Sequence, residues 1–264
     1  MKPDEIQTQG MKAGLYVPRI HGFHTVLSHW VIGAGKVFTR PPTAEIQQTV
    51  RFNDISFYQR EANFLMMQSA GSSGAVLRAG QRNYPDGCYN KFTRQAKADG
   101  MPTGSYWLYD SRARPRDQAK KWHDVIGNDP HPLRDWADYE ENYWGKWRGW
   151  RNLYDFLEYS REEMPGREFG IYSGYYYWMA NSPNPIFQKA QLNYFKQYPL
   201  WLAWYTKNAA NVKIPRPWTE LWGWQYGFED GILYGVKSKE IDGDVFNGTP
   251  AQWDEMIGGK NGSL

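Results

Sequence analysis

The chain has a single cysteine, Cys88, in 264 residues. One thiol excludes an internal disulfide framework and leaves the redox compartment unassigned. Cys88 sits in the loop "DGCYN" with no nucleophile motif around it and is read as inert. Long apolar runs are missing too. No stretch approaches the roughly 18 residues that a membrane-spanning helix needs, so membrane insertion is not expected. Charge of one sign is not in excess. Lys and Arg number 31 against 28 Asp and Glu, a formal net charge of +3. That is too weak and too scattered to argue for a nucleic-acid partner. HExxH, GxGxxG, P-loop and GxSxG motifs are absent. Three of the five histidines, His21, His24 and His29, cluster near the N-terminus in a spacing that matches no standard metal site. No metal or cofactor is predicted.

Aromatic residues are abundant, at 17% with 14 Trp and 19 Tyr. Two uses fit: a Trp-rich core, or a cleft whose flat rings stack on the apolar faces of sugars while polar tips bind hydroxyls.

Residues 1–50 show no sustained period and run into the breaker Pro41-Pro42, so they read as an N-terminal arm. From residue 51 the chain alternates. Short apolar or aromatic runs at 51–56, 74–80, 104–110, 134–140, 169–174, 199–206, 221–227 and 240–246 have strand character. Helical patterns lie between the earlier ones, at 60–71, 89–100, 115–127, 146–166 and 184–198. In the fourth, Trp147, Trp150, Tyr154 and Leu157 form a stripe expected to be core. Strand and helix in alternation predict βαβ units and a parallel sheet, and eight strands suggest a barrel. After residue 206 the strands come without good helices, so the last third is expected to be degenerate. Residues 251–264 read as a tail.

The segment "RDWADYE" (134–140) carries Asp138 and Glu140 in an apolar setting. On a helix these side chains would diverge by about 200°. On a strand they share a face with Trp136, roughly 6.6 Å apart along the backbone. The position fits a fourth barrel strand, with Glu140 at the carboxyl end, where barrel enzymes keep their chemistry. Asp54, Asp242 and Asp244 lie in other strand-associated segments that can reach the same end. Carboxylates crowded there repel one another, so at least one holds its proton to higher pH. A neutral acid beside ionised ones, ringed by aromatics, is what glycosidic cleavage needs. Caps, turns and ion pairs remain the plainer use for Asp54, Asp242 and Asp244, and a divalent cation is a competing use for the whole set.

The ordered motifs "DISFYQ" (54–59), "VLRAGQ" (76–81), "YPDGCYNKF" (84–92), "GSYWLYDS" (104–111), "DYE" (138–140), "GIYSGYYYW" (170–178), "LWLAWYT" (200–206), "WGWQYG" (222–227) and "IDGDVFNG" (241–248) resemble the glycoside hydrolase family 25 lysozymes. These are N-acetylmuramidases of phage endolysins, bacteria and fungi. The resemblance covers about residues 51–248, so 51–250 is taken as the catalytic module. It implies a modified TIM-like α/β barrel of eight strands and about five full helices, and peptidoglycan as substrate. It implies Glu140 as proton donor and Asp138 as the group that orients the substrate's N-acetyl arm, with retention of configuration. Asp54 and Asp242 match further functional acids. Tyr106, Trp204 and Gln225 match cleft-lining positions. Arg78 stands where Lys is common, and Asp244 stands where Asn is usual; both are taken as substrate-binding. Phe52 and Asn53 replace the usual residues before the first Asp. The start "MKPDE" has no apolar h-region. The expectation is therefore a phage-type lytic enzyme, made in a host cytoplasm and released to the wall, or carried on a virion with the arm as a targeting contact. Two rivals are kept: an inactive glycan-binding or virion structural barrel, and a glycosidase acting on another N-acetylated polymer such as chitin.

Overall fold

The computed structural model describes residues 49–140 and 143–258. All but the last two residues of the 1–50 arm, with its three histidines, lie outside the described residues, as does the tail beyond Gly258.

The strands are β1 (Arg51–Ile55), β2 (Ser72–Gln81), β3 (Tyr84–Pro85), β4 (Thr103–Leu108), β5 (Asp135–Asp138), β6 (Phe169–Gly174), β7 (Leu200–Ala203), β8 (Gly223–Asp230) and β9 (Glu240–Phe246). The helices are α1 (Phe64–Ser69), α2 (Tyr89–Ala98), α3 (Pro115–Ile126), α4 (Trp150–Glu163), α5 (Tyr175–Asn181), α6 (Lys189–Tyr194) and α7 (Pro250–Gly258). Eight strands close a ring in the order β1-β9-β8-β7-β6-β5-β4-β2, completed by β1 pairing with β2. The short β3 is an antiparallel flap on the end of β2. Each of the eight expected strands is present, and the fold is the expected α/β barrel.

One departure from a parallel sheet has a simple cause. β9 runs antiparallel to both β8 and β1. Residues 231–239 are all that join β8 to β9, too few for the dozen or more residues of a parallel crossover. The chain therefore turns straight back, and the barrel closes without a helix there. Within this pair a bulge falls between Gln225 and Gly227. Gly227 has φ 141, a conformation side chains rarely adopt, so a glycine is required.

Period two sorts side chains to the two faces of every strand. Phe52, Val76, Trp136, Tyr172, Trp201 and Trp222 form a cluster inside the barrel. Leu77, Trp107, Ala137, Tyr139, Ile171 and Leu202 face outward and pack with α3 and α4 residues such as Trp122, Phe156 and Leu157. Room for the inner indoles is made locally: a Cβ at Gly170 would strike the Trp136 ring. The tail contributes too. Helix α7 carries Trp253 into the inner cluster, 6.1 Å from Phe52 and 6.4 Å from Trp222 between ring centroids.

The predicted stripe on the fourth helix is corrected. α4 starts at Trp150, after Gly149 with φ 94, so Trp147 precedes the helix. The buried face is Leu153, Phe156, Leu157 and Ser160, an i, i+3, i+4, i+7 stripe, and Tyr154 is 39% exposed. Tyr154 instead lies against Tyr194 near the surface.

Candidate active site

A cavity of about 290 Å³ opens at the carboxyl ends of the parallel strands, above the inner indole cluster. Four strands place a side chain in its wall by the same rule, two residues beyond an inward-facing one. Asp54 follows Phe52 on β1, Arg78 follows Val76 on β2, Asp138 follows Trp136 on β5, and Tyr172 follows Gly170 on β6. Tyr106 from β4, Gln225 from β8 and Asp242 from β9 complete the ring. Glu140 lies two residues past the end of β5 and also lines the cavity. β5 has Trp136 and Asp138 inward with Asp135 and Ala137 outward, so the strand alternative for "DWADYE" is the one that holds.

The turn after β1 shapes one rim. Ser56 caps a single 3-10 turn over 57–59, and its backbone N–H donates to Gln59 Oε1 at 2.8 Å. This turn lays Phe57 and Tyr58 over the Arg78 guanidinium, at 4.6 and 5.2 Å. Arg78 Nε donates to Asp86 Oδ2 at 2.8 Å, so the guanidinium is fixed from both sides. Tyr143 and Tyr205, 39% and 68% exposed, also line the cavity.

Hydrogen bonds tie the wall together. Gln225 Nε2 donates to Asp54 Oδ2 at 3.0 Å, and Tyr172 Oη donates to Gln225 Oε1 at 3.0 Å. The Tyr172 hydroxyl also lies close enough to the Glu140 carboxyl to lower its proton affinity. Asn53 Nδ2 donates to the Asp242 carbonyl at 2.7 Å, which holds β9 beside β1.

The acids raise one another's proton affinity. Burial among protein atoms, then the charge of Asp242, pushes Glu140 up to about 7. Burial and the nearby Glu240 push Asp242 up to about 6, against the effect of its own backbone hydrogen bond. Burial and Asp242 raise Asp54 well above the carboxylate range, although the Gln225 amide pulls the other way. Glu140 itself reaches solvent at the mouth, so it can meet a substrate and exchange its proton. An acid with an affinity near 7, exposed in a cleft with other carboxylates, is suited to general acid–base work.

A family model described as glycosyl hydrolases family 25 matches residues 53–236. The chain belongs to this family. The match spans Asp54, Asp138 and Glu140 and stops short of Asp242 and Asp244, which the antiparallel β9 carries to the same mouth. Solved structures share the fold of this glycoside hydrolase. A muramidase from Trichobolus zukalii aligns with TM-score 0.65 at 23% identity, over 80% of this chain and 99% of that chain. A bacterial lysozyme from Streptomyces coelicolor aligns with TM-score 0.67 at 21% identity, over 80% and 98%. The catalytic domain of endolysin ply40 from bacteriophage P40 of Listeria monocytogenes aligns with TM-score 0.61 at 19% identity, again over 80% and 98%. Comparison with curated proteins finds no match.

Seven of the nine predicted positions meet at the cavity wall: Asp54, Arg78, Tyr106, Asp138, Glu140, Gln225 and Asp242. Two do not. Trp204, one residue past β7, points to the outward side with Leu202 and lies edge-on to Tyr175 and tilted against Tyr176, at 5.0 and 5.9 Å between ring centroids. Trp201 lines the cavity instead, because it is the inward residue of that strand, and Tyr205 bends back over the mouth once the strand has ended. Asp244 is fully buried, one step deeper on β9 than Asp242, and cannot contact a substrate directly. Tyr172 was missed. The signal was available, because alternation in "FGIYSG" puts Gly170, Tyr172 and Gly174 on one face. Among the described residues no group of three or more His, Cys, Asp or Glu is arranged to hold a metal ion.

Proposed function

We propose that this glycoside hydrolase is a peptidoglycan muramidase that cuts the β-1,4 bond between N-acetylmuramic acid and N-acetylglucosamine. One observation carries the reading. Glu140 opens to solvent in an acid-lined cleft and keeps its proton up to about 7. Below that pH it donates the proton to the leaving glycosidic oxygen. The glutamate so formed then takes a proton from the attacking water.

Asp138, two residues deeper on the same side of the wall, accepts the acetamido N–H of the sugar being cleaved. That aligns the acetamido oxygen behind the anomeric carbon, where it forms a C–O bond as the glycosidic bond breaks. Water reopens the ring from the opposite face, so configuration is retained. The ionised members of the acid group that includes Asp54 and Asp242 supply negative potential beneath the developing oxocarbenium ion. The exposed rings of Tyr58, Tyr143 and Tyr205 offer stacking faces for flanking sugars. Muramidases and lysozymes among the structural neighbours favour the bacterial wall over other N-acetylated polymers.

The test compares wild type with Glu140→Gln on purified peptidoglycan, with mass spectrometry of the soluble fragments. Fragments ending in reducing N-acetylmuramic acid, lost in the variant, are the expected result. Fragments ending in reducing N-acetylglucosamine overturn the bond assignment. No fragments from wild type on several wall chemotypes overturn the activity. Early products that are α-anomers by proton NMR would overturn retention.

A further inference from the structure

Asp244 is a carboxyl group with no accessible surface, inside a barrel whose inner cluster is mostly aromatic. Its place is set by pairing on both sides. On β9 it lies opposite Phe52 of β1 and Gln225 of β8. One oxygen is satisfied: Trp201 Nε1 donates to Oδ1 at 2.8 Å. The other, Oδ2, is buried and has no N–H or O–H donor among the described residues. After burial, the group that bears most strongly on Asp244 is the neighbouring Asp54 carboxyl, close enough for the two side chains to share a hydrogen bond.

Two carboxylate oxygens are both acceptors and can hydrogen-bond only if a proton lies between them. The partners decide which acid owns it. Asp54 Oδ2 already accepts from the Gln225 amide, whose own oxygen is held by Tyr172, and this favours the ionised form. Asp54 also borders the cavity and its solvent, whereas Asp244 is sealed. The charges that act most strongly on Asp244 are Asp54 on β1 and Asp242 on its own strand, both acidic. Trp201 of β7 and Gln225 of β8, the other groups packed against it, carry no titratable proton.

We infer that Asp244 is held as the neutral acid and donates its proton to Asp54, which makes it a positioning residue for the cleft. The pair then carries one negative charge instead of two. Asp54 is pinned between two donors, Gln225 and Asp244, at the floor of the cavity. A line of hydrogen bonds then runs from Trp201 through Asp244, Asp54 and Gln225 to Tyr172, which lies beside Glu140. Loss of the Asp244 proton would break this line at its deepest bond and place two like charges in contact. Cleft geometry is therefore tied to pH through a residue that never touches substrate.

The inference rests on the muramidase reading only for its link to activity, and the decisive experiment needs no substrate. Aspartate labelled with ¹³C at the side-chain carboxyl is followed by NMR from pH 4 to 9 in the full chain, with Asp244→Asn and Asp54→Asn used for assignment. The expected result is a carboxyl still protonated at pH 7 that is lost in Asp244→Asn. A resonance assigned to Asp244 that is ionised at pH 7, or a persistent acid signal that belongs to Asp54, overturns the inference. Turnover gives a second readout. Asn can still donate an N–H to Asp54 and accept from Trp201, so Asp244→Asn should lose at most about 3-fold in kcat. Asp244→Leu, which removes the donor, should lose about 10-fold or more. Wild type should lose activity more steeply above neutrality than Asp244→Asn, which has no proton to lose there. Equal losses in the Asn and Leu variants, or a midpoint of the alkaline limb about one unit lower in Asp244→Asn, would mean that Asp244 acts as a charge and not as a donor. If Asp244→Leu does not fold, the spectrum and the Asn variant decide. An inactive wild type with the expected spectrum would sink the muramidase reading and leave the proton assignment standing.

Discussion

Strand β5 carries an acid near each end, and the two ends of the barrel treat their acids in opposite ways. At the amino end Asp135 faces outward and is sealed from solvent among partners. His131 Nδ1 lies 2.5 Å from Oδ1, Ser105 Oγ donates to the same oxygen at 2.6 Å, and Arg167 Nη1 donates to Oδ2 at 3.0 Å. Tyr89 and Trp122 extend the cluster through His131 and Ser105. Burial alone would raise Asp135, but His131, Arg167 and Ser105 outweigh it and hold the carboxyl below its ordinary range. At the carboxyl end Asp54, Glu140, Asp242 and Asp244 face chiefly one another, and all four are raised. Three residues of one strand separate an acid whose charge is fully compensated from a site where charge is left uncompensated. The first arrangement serves stability. The second costs stability and provides a proton at neutral pH.

The sharpest break of this contrast is at the mouth. Glu140→Gln should lower kcat on peptidoglycan by about 10³-fold, the scale of a lost general acid, with the far-UV CD spectrum of wild type. At the other end, Asp135→Asn should leave the kcat of the folded enzyme unchanged. It strands His131 and Arg167 without their anion and should lower unfolding stability by about 3 kcal/mol, read by urea denaturation at pH 7.

The two ends should also differ in the sign of their pH dependence. Asp135 is lowered in the fold, so its contribution is present above the unfolded carboxyl range near 4 and disappears as pH falls further. Glu140 is raised to about 7, so its ionisation opposes folding between pH 4.5 and 7, and the full penalty is present only above 7. Glu140→Gln should therefore raise the melting temperature at pH 8 and leave it unchanged at pH 4. Water reaches Glu140, so the gain should be about 1 kcal/mol, or roughly 2–4 °C. In activity the same group should give kcat/KM an alkaline limb near pH 7, falling tenfold per unit above it. A limb that stays put in a variant lacking the Asp242 charge, such as Asp242→Asn, would show that burial alone sets it.

Much of this was legible before any coordinates. Eight short runs of β-branched and aromatic residues marked the eight strands, because a barrel strand must alternate between an inner and an outer core. The same alternation told which of Asp135 and Asp138 faced inward. The expected stripe of α4 held only at Trp150 and Leu157: Gly149 leaves Trp147 ahead of the helix, and the face pressed on the core runs through Leu153, Phe156 and Ser160 instead of Tyr154. Trp204 was misplaced for a related reason. The motif match located the segment, but the inward residue of a four-residue strand is decided by where pairing with β6 and β8 begins.

By itself the sequence determined the barrel's strand count, the shared face of Trp136 and Asp138 on β5, and the family with its Asp–x–Glu pair. These depend on spacing within one segment, which a linear chain carries in full. Only the tertiary structure decided that β9 returns antiparallel, that Asp242 reaches the mouth while Asp244 is sealed beneath Asp54, and that Asp135 finds His131 and Arg167. Those facts depend on which segments become neighbours. A carboxyl group's charge is governed by the dielectric and donors that neighbours supply, and Asp54 and Asp244 stand 190 positions apart in the chain.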